Sequence, residues 1–484
     1  MSRLDAAVID RMKEIVGPSG VLTDTADLGR YTTDWRKRYS GPTDAVLLPH
    51  SSAEVSQLVR LCNQEGILVI PQGGNTGQSG GSVPLATQAP NVILSLSRLN
   101  KIRGIDLDNN TVTVDAGVVL ASVQEAAENA GRFFPLSLGA EGSCHIGGNL
   151  ATNAGGTAVL KYGNARDSVL GLEVVLPNGD IWDGLRMLRK DNTGYDLKAL
   201  FLGAEGTLGI ITGAVLKLYS RPKESAVAWV SVESMEKGVQ LLSVFRDAFE
   251  SRLSAFEYLS RGELALVLKH VPGQTDPLPG DGADCVLIEL SDSLRTGTLA
   301  TMLEEELAQA IDSGLASNAV VATSGQQANA LWKIRHSVSE ANVAHGLSLN
   351  HDVAVPTSAM PAFTTEATAH IHAHFPQAEV VTVAHLGDGN VHFLTIFPRD
   401  FWASLEDPLT YSAQVRRSVY EIANRHRGTF SAEHGIGQSL TSEMVHFKPV
   451  VELGLMRQIK SMLDPKGIMN PGKVLSASGN VSPQ

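Results

Sequence analysis

Two histidines, His385 and His392, flank the segment LGDGNV in the stretch HLGDGNVHF. The adjoining segments, VVTVAH and VHFLTIF, are rich in β-branched and aromatic residues, as strands are. Asp-Gly favours a two-residue hairpin turn, because glycine adopts positive φ without steric cost. A turn at Asp388 and Gly389 would place His385 directly opposite His392, with Cβ atoms roughly 5 Å apart on one face. Two imidazoles held in this way can share one metal ion; the alternative is a pair of surface histidines.

Two glycine-rich segments form a second kind of candidate site. PQGGNTGQSGGS (71–82) follows a short apolar strand, ILVIP, and GSCHIGGNLATNAGG (142–156) has a similar Gly/Asn composition. Backbone N–H groups in such loops can cradle a pyrophosphate. Neither segment is a G-x-G-x-x-G or a Walker A sequence, which disfavours the doubly wound dinucleotide fold and the P-loop. Each loop alone could be only a turn, but together they indicate one long ligand lying between them.

The elements that must position these residues change character along the chain. In the first part, DAVLLPH leads into a helix that begins at Ser51 or Ser52 and ends at Gly66, and ILVIP follows as a buried strand. SRPKES (220–225) is a charged, proline-containing break and predicts a domain boundary. After it, strands such as AVAWVSV and CVLIEL alternate with long helices, which predicts an α+β arrangement with an antiparallel sheet.

Composition limits the partners and the compartment. A chain of 484 residues predicts two or three domains, and a net charge of −12 without a basic block makes nucleic acid an unexpected partner. Three widely spaced cysteines form neither a disulfide framework nor a metal cluster, which fits a reducing compartment. The first 17 residues resemble an amphipathic helix rather than a signal peptide, and no apolar run reaches the length of a membrane span. We therefore expect a cytoplasmic protein.

Seven segments, in order, resemble one flavoprotein family. They are PQGGNTGQSGGSVP, GAEGSCHIGGNLATNAGG, VLGLEVVLPNGD, RKDNTGYDLKALFLGAEGTLGIIT, HLGDGNVHF, SAEHGIG and LDPKGIMNPGK. The family is the FAD-linked D-2-hydroxyacid dehydrogenase branch of the vanillyl-alcohol oxidase/PCMH superfamily. This branch includes D-2-hydroxyglutarate dehydrogenases, which the longest segments resemble most, D-lactate dehydrogenases and glycolate oxidase subunits. The resemblance covers about residues 40–475.

The resemblance implies an α+β fold. It consists of a PCMH-type FAD-binding domain with two α/β subdomains, an antiparallel-sheet substrate (cap) domain and a helical C-terminal segment. The expected boundaries are an N-terminal helical segment at 1–42, the FAD-binding domain at 43–220, the substrate domain with the metal hairpin at 221–425, and a C-terminal segment at 426–484 that closes on the flavin.

The same resemblance assigns residues to FAD. The first loop would hold the pyrophosphate through Gly73, Gly74, Asn75, Thr76 and Gly77. The second would line the isoalloxazine and ribityl side through Ser143, Gly148, Asn149, Thr152, Asn153 and Gly155. Further expected FAD-binding residues are Pro71, Gly81, Ser82, Leu138, Gly139 and Gly147. Gly209 and Ile210 would contact the adenine half, and Asn470 would approach the flavin. Because QGGNTG contains no histidine for a covalent bond, non-covalent FAD is expected.

Glu433, in SAEHGIG, is the expected third metal ligand beside the two histidines. Two histidines and a carboxylate form a catalytic rather than a structural metal set. Zinc fits, and Mn²⁺ or Fe²⁺ would also accept these ligands; the alternative is a metal-free hydrogen-bonding cluster. The family's general base falls on His434, which could accept the proton of a 2-hydroxyl group. The alternative is that His434 only orients Glu433.

A 2-hydroxy acid also needs its carboxylate held. Arg335 and Ser339 lie at i and i+4 in LWKIRHSVSE, which predicts one helix face, and the guanidinium fork suits a carboxylate. Asn350 stands where dicarboxylate-specific relatives usually carry lysine, and Leu394 where they tend to carry asparagine. Both differences weaken the expected hold on a distal carboxylate, so D-lactate, D-malate and larger apolar acids are alternative substrates.

The predicted function is FAD- and metal-dependent oxidation of a D-2-hydroxy acid, of the D-2-hydroxyglutarate type by resemblance. The hydride would pass to flavin N5, and the electrons to an external carrier such as electron-transfer flavoprotein, a cytochrome or a quinone. The alternatives are a D-lactate, D-malate or broad-range dehydrogenase, an oxidase that uses O₂, and a glycolate oxidase-like subunit without activity of its own. A homodimer is one expected assembly.

Overall fold

The computed structural model describes residues 4–87 and 89–476, which divide into two compact units. Within these residues, the first unit comprises 4–87, 89–156, 163–220 and 433–476. The second comprises 157–162 and 221–432. No helix in the described part of the chain is both long enough and apolar enough to cross a membrane.

The helices are α1 (Ala6–Val16), α2 (Thr25–Thr32), α3 (Ser52–Glu65), α4 (Leu120–Asn129), α5 (Ile146–Ala151), α6 (Val159–Tyr162), α7 (Lys198–Phe201), α8 (Met235–Phe249), α9 (Arg261–His270), α10 (Leu299–Asp312), α11 (Gly325–His336), α12 (Val338–His345), α13 (Met360–His374), α14 (Arg399–Ala403), α15 (Pro408–Arg425), α16 (Thr441–Phe447) and α17 (Val450–Leu463).

The strands are β1 (Val21–Leu22), β2 (Ala45–Leu47), β3 (Leu68–Gln72), β4 (Asn91–Ser95), β5 (Ile102–Asp106), β6 (Thr111–Asp115), β7 (Arg132–Phe133), β8 (Val169–Val175), β9 (Ile181–Gly184), β10 (Ile210–Lys217), β11 (Tyr219–Ser220), β12 (Glu224–Val232), β13 (Leu253–Leu259), β14 (Asp284–Asp292), β15 (Asn318–Val321), β16 (Leu347–Ala354), β17 (Glu379–His385) and β18 (Asn390–Phe397).

The first sheet of the first unit has the order β1-β2-β4-β3, in which β4 pairs in parallel with β2 and β3. Every residue of β4 is buried, as expected for a parallel strand covered on both faces. The predicted bounds of α3 are confirmed: the Ser51 side chain accepts from the N–H of Glu54, and Gly66 ends the helix with φ 69°. The strand that follows, β3, leads directly into the first glycine loop.

The second sheet of the first unit is antiparallel, in the order β5-β6-β10-β8-β9, and β7 and β11 form a separate ribbon. Helix α5, which carries the second glycine loop, packs against this sheet through Gly147. The N–H of Gly147 donates to the Ala116 carbonyl at 2.7 Å, and a Cβ on Gly147 would lie 2.7 Å from the Ala116 Cβ. Glycine is therefore required at 147 by close packing.

The second unit contains an antiparallel sheet in the order β15-β12-β14-β13-β17-β18-β16, which confirms the predicted antiparallel sheet after residue 220. Its core includes residues of β12, β13, β14, β17 and β18 together with residues of α9, α11 and α12. The face of the sheet beneath these helices also carries His385 and His392. With the two sheets of the first unit, this arrangement confirms the predicted α+β fold class.

Candidate active site

The first glycine loop is held in shape by its own side chains. Asn75, with φ 55°, donates from Nδ2 to the Thr33 carbonyl at 2.9 Å and accepts from the Ser82 hydroxyl at 2.8 Å. Within the described residues, the N–H groups of residues 73–77 have no hydrogen-bond acceptor. The loop therefore presents a row of half-buried donors, which is the chemistry that binds a phosphate anion.

The two glycine loops lie against each other, as the sequence predicts for one ligand between them. A Cβ on Gly74 would collide with the carbonyl oxygen of Ser143, and a Cβ on Gly73 would lie 3.4 Å from the His145 Cβ. Such close approach of two backbones is possible at 74 only without a side chain. Together the loops line one cleft of the first unit.

Most of the predicted FAD residues line this cleft. They are Pro71, Gly73, Gly74, Asn75, Thr76, Gly77, Gly81, Ser82, Gly147, Gly148, Asn149, Thr152, Gly209 and Ile210. Sequence reasoning missed further lining residues: Gln72, Gln78, Ser79, Leu96, His145, Ala151, Phe201, Glu205, Gly206 and Ile211. All of them except Leu96 lie within the segments that carry the family resemblance, so the signal for them was present in the sequence.

Six predicted FAD residues do not belong to the cleft lining: Leu138, Gly139, Ser143, Asn153, Gly155 and Asn470. Two of them have a visible positioning role. A Cβ on Gly155 would lie 2.6 Å from the Glu433 Oε1, so glycine makes room there for that carboxylate. The Asn470 Nδ2 donates to the carbonyls of Gly81 at 3.0 Å and Glu205 at 2.8 Å, which fixes the first loop. Contact of these six residues with FAD stays a prediction.

The cleft fits a large polar cofactor. The Nδ1 of His145 is buried without a hydrogen-bond partner among the described residues, although the residue lines the cleft. Burial lowers the pKa of His145, which favours the neutral imidazole. A buried polar atom without a partner is costly. An unpaired ring nitrogen beside a row of available N–H donors is thus suited to a ligand that carries both phosphates and polar groups, as FAD does.

His434 lies in the same cleft, and a network of buried groups holds its loop. The Glu205 carboxylate accepts from the N–H groups of residues 436 and 437 at 2.7 and 2.8 Å, although burial raises the pKa of this residue. The Ser79 hydroxyl donates to the His434 carbonyl at 3.1 Å. The Nε2 of His434 lies 3.1 Å from the Gln78 Nε2. The predicted base is thus fixed beside the first glycine loop, within one unit.

In the second unit, the predicted pairing of the two metal histidines is wrong. His385 pairs with Asn390 rather than with His392, because the hairpin loop spans residues 386–389 instead of two residues. The N–H of Gly389, with φ 86°, donates to the His385 carbonyl at 3.2 Å and closes this longer turn. His392 lies two residues beyond Asn390 and therefore on the same face as His385. The two ring centroids are 5.5 Å apart.

Sequence reasoning also missed Glu257, which lies opposite His385 on the neighbouring strand. Its Oε1 accepts from the His385 Nδ1 at 2.7 Å and its Oε2 from the Arg335 Nε at 2.8 Å. Burial alone would raise the pKa of Glu257, but His385 and Arg335 outweigh it and lower the pKa to about 2. A glutamate within the buried strand LSAFEYL was the available signal, because such a charge needs partners.

Arg335 and Ser339 do not share one helix, so the predicted common face is wrong. α11 ends at His336 and α12 begins at Val338. Arg335 is directed toward the sheet, with 11% of its side chain exposed, and its Nη2 lies 3.4 Å from the His385 Nε2. Ser339 is exposed on the next helix, and its contact with substrate stays a prediction.

Asn350 and Leu394, the two positions at which the family resemblance implies a weaker hold on a distal carboxylate, face each other. Asn350 pairs with Leu394 in the same register that pairs Asp352 with His392. Residues two apart on a strand point to one side, so Asn350 and Leu394 lie on the face that carries His392. The Oδ1 of Asn350 is buried and has no hydrogen-bond partner among the described residues.

Comparison with known protein families assigns both halves of the chain. Residues 43–184 match the FAD binding domain, and residues 221–474 match the C-terminal domain of FAD linked oxidases. D-2-hydroxyglutarate dehydrogenase from Xanthomonas citri pv. viticola is 38% identical over 463 residues, covering 96% of each chain. The mitochondrial D-2-hydroxyglutarate dehydrogenase of Arabidopsis thaliana is 38% identical over 479 residues, covering 99% of this chain and 83% of that protein.

Solved structures show the same fold at low sequence identity. Alkyldihydroxyacetonephosphate synthase superposes with a TM-score of 0.75 at 18% identity, covering 97% of this chain and 86% of that one. p-Cresol methylhydroxylase superposes with a TM-score of 0.73 at 15% identity, covering 98% of both chains. The predicted PCMH-type fold is thereby confirmed. The chain belongs to the FAD-linked oxidase family, as an FAD-dependent oxidoreductase related over its full length to D-2-hydroxyglutarate dehydrogenases.

Proposed function

We propose that this enzyme oxidises D-2-hydroxyglutarate to 2-oxoglutarate. Relatives named for this activity are 38% identical over nearly the whole chain. The observation that carries the proposal is the position of His434, which lines the same cleft as the glycine loops. A base in the flavin cleft is what the oxidation of a hydroxyl group requires.

Two electrons and two protons leave the substrate in this reaction. The proton of the 2-hydroxyl group passes to His434, and the hydrogen on C2 leaves as a hydride. Bound FAD supplies the hydride acceptor at flavin N5. Arg335 holds the carboxylate next to C2; its Nε donates to Glu257, and its Nη2 lies 3.4 Å from the His385 Nε2.

We infer that His385, His392 and Glu433 hold a divalent metal ion, with zinc as the best fit. The two imidazoles lie on one face, and Glu257 accepts from the His385 Nδ1, so Nε2, which lies 3.4 Å from the Arg335 Nη2, is the expected ligand atom. Glu433 directly follows Ala432, whose N–H donates to the carbonyl of Asp352, the strand partner of His392, at 3.1 Å. A bound cation would supply positive charge beside the 2-hydroxyl group and ease its deprotonation.

The electrons leave to an external carrier, for which electron-transfer flavoprotein, a cytochrome and a quinone are the candidates. The three cysteines of the chain are buried and unpaired, and their spacing offers no iron–sulfur relay. Free thiols of this kind also fit the cytoplasm, where we place the enzyme.

One observation favours a second candidate function. Asn350 and Leu394 offer no positive charge on the face that carries His392, so a distal carboxylate has less to bind there. Oxidation of D-lactate, D-malate or a broad range of D-2-hydroxy acids is therefore the alternative to strict use of D-2-hydroxyglutarate.

A panel of D- and L-2-hydroxy acids with an artificial electron acceptor tests both proposals. We expect turnover of D-2-hydroxyglutarate with the highest kcat/KM and none of its L-enantiomer. A higher kcat/KM for D-lactate or D-malate than for D-2-hydroxyglutarate would favour the second candidate function over the first. Rapid reoxidation of the reduced flavin by O₂ would instead identify an oxidase.

A further inference from the structure

We propose that Glu257 is a positioning residue that sets the ligand nitrogen of His385 and the orientation of Arg335 at the same time. The inference rests on the proposed metal and substrate roles of these two residues. It makes one buried carboxylate responsible for both metal affinity and carboxylate recognition.

The geometry leaves Glu257 little freedom to do anything else. Its side chain is 2% exposed, and both carboxylate oxygens are used, one by His385 at 2.7 Å and the other by Arg335 at 2.8 Å. Glu257 and His385 are direct strand partners, so the backbone hydrogen bonds of β13 and β17 fix their separation. Arg335 comes from α11, which packs on this face of the sheet.

The chemistry follows from what a carboxylate can do. An ionised carboxylate only accepts hydrogen bonds, so the His385 Nδ1 must carry a proton, and the lone pair of a neutral imidazole then lies on Nε2. The second oxygen binds Arg335 through Nε, and the Arg335 Nη2 lies 3.4 Å from the His385 Nε2, so Glu257 holds the guanidinium beside the expected metal ligand. Carboxylates that fix a metal-binding histidine in this way typically contribute 10–100-fold to metal affinity.

Glu257→Gln is the informative variant, because it keeps the shape and removes the second acceptor. The amide offers one acceptor and one donor, so it cannot accept from both His385 and Arg335 as the carboxylate does. If the amide nitrogen faces His385, the ring must accept at Nδ1 and carry its proton on Nε2, where the metal would bind. If it faces Arg335, two donors oppose each other and the guanidinium moves.

The measurement is the dissociation constant for zinc of the purified, FAD-loaded protein, by competition with a chromophoric chelator. We expect Glu257→Gln to bind zinc roughly 10–100-fold more weakly than wild type. In the zinc-free proteins, binding of 2-oxoglutarate, followed by the visible flavin spectrum, should weaken in the variant because Arg335 is no longer held. Neither readout depends on turnover.

Glu289→Gln is the matched control. Glu289 is a half-buried glutamate on β14 of the same sheet, and its Oε2 accepts from the Trp332 Nε1 at 2.6 Å. Its hydrogen bonds go to Trp332 and Ser254. We expect this variant to bind zinc like wild type, so that a loss confined to Glu257→Gln cannot come from the loss of any hydrogen-bonded carboxylate in this sheet.

The outcomes separate this inference from the proposed function. Wild type that binds no zinc would overturn the proposed metal site, whereas wild-type affinity of Glu257→Gln for both zinc and 2-oxoglutarate would overturn the role of Glu257. If Glu257→Gln does not fold, Glu257→Asp provides the test. Its shorter carboxylate keeps the charge but cannot reach both partners, so it should bind zinc more weakly than wild type, and wild-type affinity would equally overturn the inference.

Discussion

The loop of His434 is held by hydrogen bonds to its backbone, and the ring Nε2 lies 3.1 Å from the Gln78 Nε2. Glu205 and Ser79 bind the peptide groups of its loop, while the imidazole lines the cleft. Replacing the ring should therefore leave the loop and the flavin in place. We predict that His434→Ala retains FAD but reduces flavin about 10²–10⁴-fold more slowly with D-2-hydroxyglutarate, the usual range for loss of a general base. Stopped-flow reduction of the flavin under anaerobic conditions measures this rate.

His446→Ala is the control for that measurement, because His446 is an exposed histidine on α16 of the same unit. The flavin of His446→Ala should be reduced at the wild-type rate. A His434→Ala rate within a few-fold of wild type would assign the base to another residue.

At the residue scale, the sequence motifs predicted the residues that line the cleft better than the residues that hold other functional side chains in place. Fourteen of the twenty predicted FAD residues line the cleft, because glycine loops and an N–H cradle are properties of contiguous sequence. Glu257 was not predicted, since a single glutamate has no spacing pattern. Gly155 was assigned to FAD, yet the side chain that requires glycine there is Glu433, which is 278 residues away in the chain and invisible to local reasoning.

At the element scale, two predicted spacings were changed by local backbone geometry. The metal hairpin has a four-residue loop, and the resulting two-residue offset keeps both histidines on one face, whereas an odd offset would have separated them. The helix that carries Arg335 ends one residue before Ser337, whose hydroxyl donates to the Lys333 carbonyl at 2.7 Å. A serine that bonds back to the preceding turn competes with the helix. Residue spacing alone could reveal neither the longer hairpin loop nor the end of this helix.

The contact between α9 and α12 gives an element-scale prediction. Glu263 of α9 is buried and accepts from the Asn342 Nδ2 of α12 at 3.2 Å. Burial raises the pKa of Glu263 from 4.5 to about 8, with Asn342 and Arg335 opposing the shift. The folded state thus holds this proton more tightly than the unfolded state, so stability is lost as pH rises from about 4.5 through 8. Glu263→Gln should remove this loss.

Urea unfolding at pH 6 and pH 9 tests the prediction. Between these values wild type should lose at least about 1 kcal/mol more stability than Glu263→Gln, because one unit of pKa shift corresponds to about 1.4 kcal/mol. Glu304→Gln, which changes an exposed glutamate on α10, should behave as wild type. Equal pH dependence in wild type and Glu263→Gln would place the titration elsewhere.

At the scale of the whole molecule, the proposed chemistry is divided between the two units. The cleft with the glycine loops and His434 belongs to the first unit, and Arg335, Glu257 and the metal histidines belong to the second. The chain passes from the second unit back to the first between residues 432 and 433. The order of motifs predicted the family, but only the fold shows that Glu433 and His434 are the first residues after the chain returns to the first unit.

This division predicts that metal and flavin can be removed separately. The N–H groups of residues 73–77, which we expect to bind the FAD pyrophosphate, lie in a unit with its own apolar core, apart from the core beside His385 and His392. Dialysis against a strong chelator should therefore abolish turnover of D-2-hydroxyglutarate while the visible flavin spectrum persists, and added Zn²⁺ should restore activity. His392→Ala should behave as the chelated enzyme and should not recover with Zn²⁺.

Full activity in demonstrably metal-free protein would refute the metal site, whereas loss of FAD together with the metal would show that the flavin cleft depends on the second unit.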